Sequence, residues 1–525
     1  MAWALGCVAT GAEGEGGPPS RRHGQGGTDG AAADGRRVGR PDLGDRVPPA
    51  VAKAIRRSLD SGDLSSVEIA AFSGGSLRYA LQVGASVTGA RPLGSLTKTM
   101  VASAILDLVR AGRLELDARA ADLLPEAAPV VGEARVGDLL AHRGGVVADW
   151  LAGMWMDDPP DWRSSWREMA HERPAGPPRT RTHYSNVGFV VLGALIERIS
   201  GRPFEAVVRE RVVERLGLGP SVTFERPAGL AEPATRLVPA GGAYGRAWDL
   251  GPLLHEAAEG AREGGAHPCA PPGRALSADL DRTWTLGWGA VRGELPSAQP
   301  LCWHSGRTVD HAAFAVVLPA TDYGVVVLAR GPGAEGWGAR LATLAAAAAD
   351  PRVAEPRRTS PALADLGVQS GVYVTESGIV RIRGDRAGGD VHFEDRAGRL
   401  VPSGAGRYAV LGHDGPAFSF VHVGGDVLLA ASSGGVHEPV GLRVEPSSAA
   451  PAAWRNLPSC YDVEDPYVGP VGRGILRFEG RWPVLRVRAD VGPGVDAVLV
   501  LAATEAPEVA RVVGVHRAAG SIVRR

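Results

Sequence analysis

Lysine is almost missing from this chain of 525 residues. Of its 57 basic residues only Lys53 and Lys98 are lysines, so arginine carries nearly all of the positive charge. Asparagine is equally scarce and is present only at Asn186 and Asn456. An arginine guanidinium stays protonated at any working pH and cannot act as a base. A lysine that is retained in such a composition is therefore a candidate for acid–base chemistry.

Cysteine is rare too, and its spacing forms no motif. Cys7, Cys269, Cys302 and Cys460 are far apart and make neither a Cys-x-x-Cys pair nor a metal-ligand pattern. This spacing indicates neither a metal site nor a redox motif. We expect all four cysteines to be free thiols.

The chain also lacks an excess of charge and long apolar runs. Its formal net charge is -1, so no basic surface for nucleic acid is evident, and we expect no nucleic-acid partner. No apolar run reaches the roughly 20 residues of a transmembrane helix. We therefore expect no transmembrane helix, and the length of 525 residues suggests two to four domains.

Residues 1–46 have almost no large apolar side chain after Val8. Such a segment buries too little surface to offset its ordering entropy, so we expect it to be disordered. Ala4-Leu5-Gly6-Cys7 is faintly similar to a lipoprotein cleavage box, but no basic residue precedes it and the apolar run is short. We therefore favour a cytoplasmic location over export.

The first chemical signal is a serine and a lysine three residues apart, in Gly94-Ser95-Leu96-Thr97-Lys98. The apolar residues over 100–109 have helical spacing, so Ser95 should lie in the first turn of a helix with Lys98 on the same face. A lysine in an apolar pocket can act as a base because desolvation disfavours its charged form. Ser95 is then a candidate nucleophile; the alternative is a helix cap beside a solvated lysine.

Two further clusters follow along the chain. Tyr184-Ser185-Asn186 precedes an apolar stretch over residues 187–199 and could place a phenol and an amide in a cleft; alternatively, it caps the next helix. His304-Ser305-Gly306 opens a segment with strand-like runs over residues 312–318 and 324–329. The alternative for this cluster is a histidine at the end of a strand.

In this order the three clusters resemble the motifs of the penicillin-recognising serine hydrolases. This family includes class C β-lactamases, D-alanyl-D-alanine carboxypeptidases, D-aminopeptidases and related esterases. Three intervening segments are similar to the family as well: Leu139-Leu140-Ala141-His142-Arg143-Gly144-Gly145, Gly241-Gly242-Ala243-Tyr244 and Leu286-Gly287-Trp288. The resemblance covers roughly residues 50–350.

The resemblance implies a serine hydrolase that acts on amide or ester bonds through an acyl-enzyme on Ser95. It implies that Lys98 and Tyr184 share the role of base and that Asn186 orients Lys98 or a substrate amide. Water completes the reaction, with no metal or organic cofactor. The expected substrate is a small molecule or a short peptide.

The strand motif implies the rest of the catalytic set. The backbone N–H groups of Ser95 and Arg307 would form the oxyanion hole, with His304 and Gly306 beside them. His304 stands where class C β-lactamases have lysine, which favours the D,D-peptidase and D-aminopeptidase branch. If the side of the strand that bears Ser305 faces the cleft, Arg307 could bind a substrate carboxylate; the alternative is a solvated or structurally paired arginine.

The function that the resemblance favours is a D-stereospecific peptidase. An esterase, a transacylase or a weak β-lactamase of the same fold is the alternative, and a non-catalytic penicillin-binding receptor is a further one. After the strand motif the family commonly has a Pro-Gly-aromatic turn, whereas this chain reads Thr308-Val309-Asp310-His311. This departure leaves the shape of the acyl pocket, and with it the substrate, open.

The expected fold class is α+β, with a β-lactamase/transpeptidase-like antiparallel sheet flanked by helices over residues 47–350. Strand-like runs over 66–72 and 77–83 should join the same sheet as the runs that follow His304. Residues 351–361, with three arginines and three prolines, indicate a linker. Short apolar runs over 362–525 predict an all-β domain, whose pattern resembles the lipocalin-like barrels of some family members.

Overall fold

The computed structural model describes residues 47–84, 89–148, 155–156, 158–167, 174, 176–179, 182–230, 232–270, 282–291, 301–354, 364–375, 378–393, 396–404, 407–411, 417–423, 426–433, 436–444, 460–465, 469–479, 482–489, 496–502 and 511–513. The segment 1–46, expected to be disordered, lies outside these residues, as do residues 355–361 of the expected linker.

An antiparallel sheet of seven strands, in the order β2-β1-β11-β10-β9-β8-β7, is the frame of the first part of the chain. The strands of this part are β1 (Ser66–Ser73), β2 (Ser76–Gly84), β3 (Arg91–Pro92), β4 (Trp155–Met156), β5 (Ala234–Thr235), β6 (Tyr244–Gly245), β7 (Arg282–Trp284), β8 (Gly289–Val291), β9 (Leu301–Arg307), β10 (His311–Leu318) and β11 (Tyr323–Arg330). The four strand-like runs of the sequence are confirmed as β1, β2, β10 and β11.

Helices cover both faces of this sheet. The described helices are α1 (Pro49–Asp60), α2 (Thr97–Arg110), α3 (Ala120–Leu123), α4 (Ala128–Val131), α5 (Val136–Leu140), α6 (Trp162–Arg167), α7 (Asn186–Ser200), α8 (Phe204–Val208), α9 (Val238–Gly241), α10 (Gly251–Glu263), α11 (Ala334–Ala349) and α12 (Leu366–Gln369). The larger core lies on one face, against α2, α7 and α10, and a smaller core lies between the other face and helices α1 and α11. β10 and β11 read as nearly continuous apolar runs because both of their faces are covered.

Helix α7, which carries a candidate site residue at its first position, is bounded by signals that the sequence contains. The Ser185 hydroxyl caps the helix by accepting the Gly188 N–H at 2.8 Å. The helix ends at Ser200, and the following Gly201 has a left-handed φ of 68°. Asn186 therefore follows the cap rather than forming it, and its side chain is available to the site.

The expectation of free thiols is wrong for two of the cysteines. Cys269 and Cys302 form a disulfide across 33 residues of sequence, and both are buried. Cys460 is a free, exposed thiol, and Cys7 lies outside the described residues. The pairing was not visible in the sequence because it depends on β9 passing beside the segment that follows α10.

The tail contains a closed barrel and a separate sheet. Eight antiparallel strands follow one another around the barrel, and β12 pairs with β19 to close it: β12 (Gly371–Thr375), β13 (Gly378–Asp385), β14 (Gly388–Phe393), β15 (Arg396–Gly404), β16 (Arg407–Val410), β17 (Ala417–Val423), β18 (Asp426–Ser433) and β19 (Val436–Val444). Buried side chains such as Tyr373, Tyr408 and Leu400 form its core.

A five-stranded antiparallel sheet comes after the barrel, with strands β20 (Cys460–Asp465), β21 (Gly469–Glu479), β22 (Trp482–Ala489), β23 (Asp496–Ala502) and β24 (Arg511–Val513). The predicted fold class, an α+β part followed by an all-β barrel, is confirmed. Among the residues that the structure describes, none of the helices combines the length and the apolar character needed to span a bilayer.

Candidate active site

Ser95 lies in a 3₁₀ turn, Gly94–Leu96, that leads directly into α2. Gly94 has a left-handed φ of 50°, and a Cβ built on it would lie 2.8 Å from the backbone nitrogen of Arg307. The Thr97 hydroxyl secures the turn by donating to the Gly94 carbonyl at 2.7 Å and accepting the Ala243 N–H at 3.0 Å. The nucleophile candidate is thus held by backbone contacts on two sides.

Lys98 is fully buried, and its amine nitrogen lies close to polar atoms of three other residues that belong to the site. Nζ lies 2.9 Å from the Ser95 hydroxyl, 2.7 Å from Asn186 Oδ1 and 2.7 Å from the Ala240 carbonyl oxygen. These contacts bring together three of the residues that the sequence singled out from separate motifs. The structure therefore places the two serine-motif residues and Asn186 in one cluster.

The three contacts suit both protonation states of Lys98. An ammonium group has three N–H donors, enough for one each to Ser95, Asn186 and Ala240. A neutral amine has two N–H donors, and the amide and carbonyl oxygens can only accept, so these two oxygens take both hydrogens. The lone pair of Nζ then faces the Ser95 hydroxyl, which is the orientation that a base needs.

Tyr184 is half-buried, and ring contacts fix its position. Its ring stacks on His142 at 4.2 Å between centroids and tilts against Trp284 at 5.2 Å. Lys98 Nζ lies 5.0 Å from the centroid of the same ring, within the range of a cation–π contact. The structure therefore brings Tyr184 to the lysine, as the order of the motifs implied.

His142 holds the backbone of the tyrosine motif by hydrogen bonds. It is buried and has a φ of 54°, which is rare for a residue with a side chain. Its Nδ1 accepts the Ser185 N–H at 3.0 Å, and its carbonyl oxygen accepts the His183 N–H at 2.6 Å. These contacts make His142 a support for the backbone of the tyrosine motif. Trp284 was missed; it lies next to the Leu286-Gly287-Trp288 segment, which was the available signal.

Strand β9 passes directly against the Ser95 turn. A Cβ built on Gly306 would lie 2.0 Å from the Leu93 carbonyl oxygen and 2.8 Å from the Ser95 nitrogen, so the two backbones touch. This contact joins the segments that bear the Ser95 and Arg307 amides. His304 is buried beside it, with Nδ1 donating to the Ser305 carbonyl at 2.8 Å.

The side chains of Ser305 and Arg307 face away from the nucleophile. Side chains alternate along a strand, and the Gly306 side faces the Ser95 turn. Ser305 lies opposite Phe314, which belongs to the core on the α11 face, and the Arg307 guanidinium lies 3.4 Å from Glu335 of α11. This geometry favours the alternative, in which Arg307 is a structurally paired arginine, over substrate binding by either side chain.

The comparisons with known proteins agree with the motifs. A family model described as Beta-lactamase matches residues 51–350. The chain is 31% identical to penicillin-binding protein 4 of Amycolatopsis lactamdurans over 140 residues, which are 26% of this chain and 36% of that protein. It is 34% identical to esterase EstB of Burkholderia gladioli over 144 residues, 24% of this chain and 36% of that protein. The matched segment thus spans 36% of the length of each of these relatives.

One solved structure is similar in fold to most of this chain. A crystal structure of SurE with D-Leu superposes with a TM-score of 0.51 and 22% identity, over 75% of this chain and 99% of that chain. At this level of identity the similarity shows the fold alone. The superposition covers a larger share of the chain than residues 51–350, so part of the tail is similar in fold as well.

Proposed function

The chain belongs to the β-lactamase family of serine hydrolases, and on that premise we propose that it forms an acyl-enzyme on Ser95 and hydrolyses amide or ester bonds. The observation that carries the proposal is the buried Lys98 amine nitrogen, 2.9 Å from the Ser95 hydroxyl and 2.7 Å from two oxygen acceptors. A buried amine next to a serine hydroxyl is the pairing that activates a serine nucleophile.

The first half of the reaction is acylation. The Ser95 oxygen attacks the substrate carbonyl carbon while its proton passes to neutral Lys98, with Tyr184 sharing this role. The carbonyl oxygen becomes an oxyanion and accepts the Ser95 and Arg307 backbone N–H groups. When the intermediate collapses, the proton is transferred to the leaving amine or alcohol, the bond to it breaks, and the acyl group remains on Ser95.

Deacylation repeats these steps with water. Water loses a proton to the same base and attacks the acyl carbon, and the proton then returns to the Ser95 oxygen as the ester bond breaks. Asn186 holds Lys98 in place through its Oδ1 contact in both halves. His304, buried on β9, completes the wall of the site.

We assign the substrate to the class of D-amino-acid amides and short peptides. Support comes from His304-Ser305-Gly306, which resembles the D,D-peptidase and D-aminopeptidase branch of the family. The fold is also shared with SurE, whose structure contains D-Leu. A D-aminopeptidase type fits better than a carboxypeptidase, because Arg307 pairs with Glu335 instead of facing the cleft.

An esterase is the second candidate. The 34% identity with esterase EstB over 144 residues favours it, and an ester substrate requires no cation for a terminal carboxylate. A p-nitrophenyl ester assayed beside D- and L-alanine p-nitroanilides separates the two. Preference for the D-anilide supports the peptidase, whereas turnover of the ester alone supports the esterase.

The proposal is tested by labelling the nucleophile. A fluorophosphonate probe should attach to the intact protein and, after digestion, map to Ser95. Ser95→Ala should not be labelled, whereas Ser76→Ala, which changes an exposed serine on β2, should be labelled as the wild type is. Labelling at a different residue, or no labelling with folded protein, would overturn the proposal.

A further inference from the structure

The turn that follows β9 lacks the Pro-Gly pair that is common in the family. Residues 308–310 connect β9 to His311, the first residue of β10. The Thr308 N–H donates to the His311 carbonyl at 2.9 Å, and the His311 N–H donates to the Thr308 hydroxyl at 3.1 Å. With neither proline nor glycine in it, this turn has no residue that fixes φ by itself. Besides these local hydrogen bonds, contacts with another part of the chain hold its conformation.

Glu232 supplies these contacts. It lies in the segment before β5 and is 4% exposed. Both of its carboxylate oxygens lie 2.9 Å from the Thr308 hydroxyl, whose single hydrogen they share, and Oε2 lies 3.0 Å from His311 Nδ1. The Asp310 N–H donates to Oε1. One buried carboxylate thus contacts Thr308 and Asp310 of the turn and His311 at the start of β10.

The residue immediately before this turn is Arg307, whose backbone N–H is assigned to the oxyanion hole. Here the end of β9 touches the nucleophile turn, since a Cβ on Gly94 would lie 2.8 Å from both the nitrogen and the carbonyl oxygen of Arg307. Catalytic donors must be held within about 0.5 Å of their productive position. A change in the turn is therefore transmitted directly to the donor.

We propose that Glu232 is a positioning residue for the oxyanion hole: its contacts with Thr308, Asp310 and His311 hold the Arg307 amide in place beside Ser95. This inference rests on the proposed function, because the hole serves the acyl transfer on Ser95. Hydrogen bonds to a carboxylate are stronger than those between neutral groups, so a glutamate can take over the constraint that proline and glycine give elsewhere.

The first test is Glu232→Gln, assayed on p-nitrophenyl acetate. It keeps the shape of the side chain but removes the charge. We expect kcat to fall about 10-fold or more, with KM within about twofold of the wild type, because the lost interaction acts on the transition state.

Asp322→Asn is the matched control. Asp322 stands at the other end of β10, where its carboxylate lies 2.9 Å from His255 Nδ1 and also binds Arg262. This variant likewise removes a carboxylate–histidine pair from the same hairpin system, and it should keep the wild-type kcat. An equal loss of kcat in both variants would show a general structural effect and overturn the inference.

If Glu232→Gln does not fold, a pair of variants at Thr308 tests the positioning role of Glu232 instead. Thr308→Val keeps the shape but removes the hydroxyl that donates to Glu232, whereas Thr308→Ser keeps the hydroxyl. The serine variant should retain kcat and the valine variant should lose it, again with KM little changed. Equal activity of the two variants would overturn the inference.

The outcome for the wild type separates this inference from the proposed function. If fluorophosphonate labels Ser95 in the wild type and labels Glu232→Gln at the same rate, the positioning role is wrong and the hydrolase stands. A folded wild type that is neither labelled nor active removes the proposed function and this inference with it.

Discussion

Gly306 and Ser95 are in backbone contact: a Cβ on Gly306 would lie 2.8 Å from the Ser95 nitrogen. A Cβ cannot be accommodated at that distance, so any side chain at position 306 would push β9 away from the nucleophile turn. The glycine of the His-x-Gly motif is therefore required for close approach, not for an unusual φ.

Gly306→Ala should abolish most of the activity without unfolding the protein. A shift of β9 moves the Arg307 amide, and the loss of one oxyanion-hole donor costs about 10²- to 10³-fold in kcat. Gly336→Ala is the control, since a Cβ on this exposed glycine of α11 meets nothing within 4 Å. Gly306→Ala with wild-type kcat would show that β9 does not need this contact.

Lys98→Arg should be inactive, although arginine replaces lysine almost everywhere else in the chain. The reaction needs an amine that can give up its proton, and a guanidinium cannot do so at any working pH. The control is Lys53→Arg, which changes the other lysine, exposed in α1. If Lys98→Arg turned over p-nitrophenyl acetate at a near-normal rate, Tyr184 alone would be the base.

The parts of the site that the sequence predicted are those set by local spacing. Ser95 and Lys98 are three residues apart, and a helical turn brings such residues together whatever the rest of the chain does. The strands could be predicted for the same reason, since alternation and apolar runs are local. The order of the three motifs indicated the family. The family resemblance in turn implied that Asn186 orients Lys98 or a substrate amide.

The parts that could not be predicted depend on which distant segments meet. Glu232 and Thr308 are 76 residues apart, and nothing in either local sequence marks them as partners. The Cys269–Cys302 disulfide could not be predicted for the same reason. Alternation predicted that Ser305 and Arg307 share one face of β9, but only the packing of Phe314 against the α11 side decides which face that is.

Arg307→Ala should leave the activity nearly unchanged. The guanidinium pairs with Glu335 of α11, and alanine retains the backbone N–H that we assign to the oxyanion hole. We expect kcat/KM within about threefold of the wild type on paired substrates with and without a free terminal carboxylate. A selective loss of tenfold or more on the carboxylate substrate, about 1.4 kcal/mol, would restore the carboxylate-binding role.

Reduction of the Cys269–Cys302 disulfide should lower the thermal stability. A crosslink across a loop of this length stabilises a protein by about 3–4 kcal/mol, mainly by restricting the unfolded chain. The Tm of the wild type should fall in the presence of a phosphine reductant, and the Tm of a double Cys269→Ser, Cys302→Ser variant should match it. Cys460→Ser, which removes the exposed free thiol, should have the wild-type Tm and the same response to the reductant. An unchanged Tm after complete reduction would contradict this prediction.

Glu232 should make the protein less stable as the pH falls into the acid range. Burial by itself would raise the pKa of this carboxyl, but the hydrogen bond and charge of His311, together with the Asp310 and Thr308 donors, lower its pKa below the ordinary value of 4.5. The folded protein therefore binds this proton less readily than the unfolded chain. The resulting stability is fully present above about pH 4.5 and is lost as the pH falls toward the folded pKa.

Glu232→Gln should accordingly have a lower Tm than the wild type at neutral pH and a smaller further decrease on acidification. Thermal unfolding measured between about pH 7 and pH 3.5 would show the two curves converging at the acid end. Glu214→Gln, which changes an exposed glutamate, should follow the wild-type curve throughout. Parallel curves for Glu232→Gln and the wild type would mean that the carboxylate holds the turn with no net preference for its charged form, and hydrogen bonding by a neutral side chain would then suffice to shape the oxyanion hole.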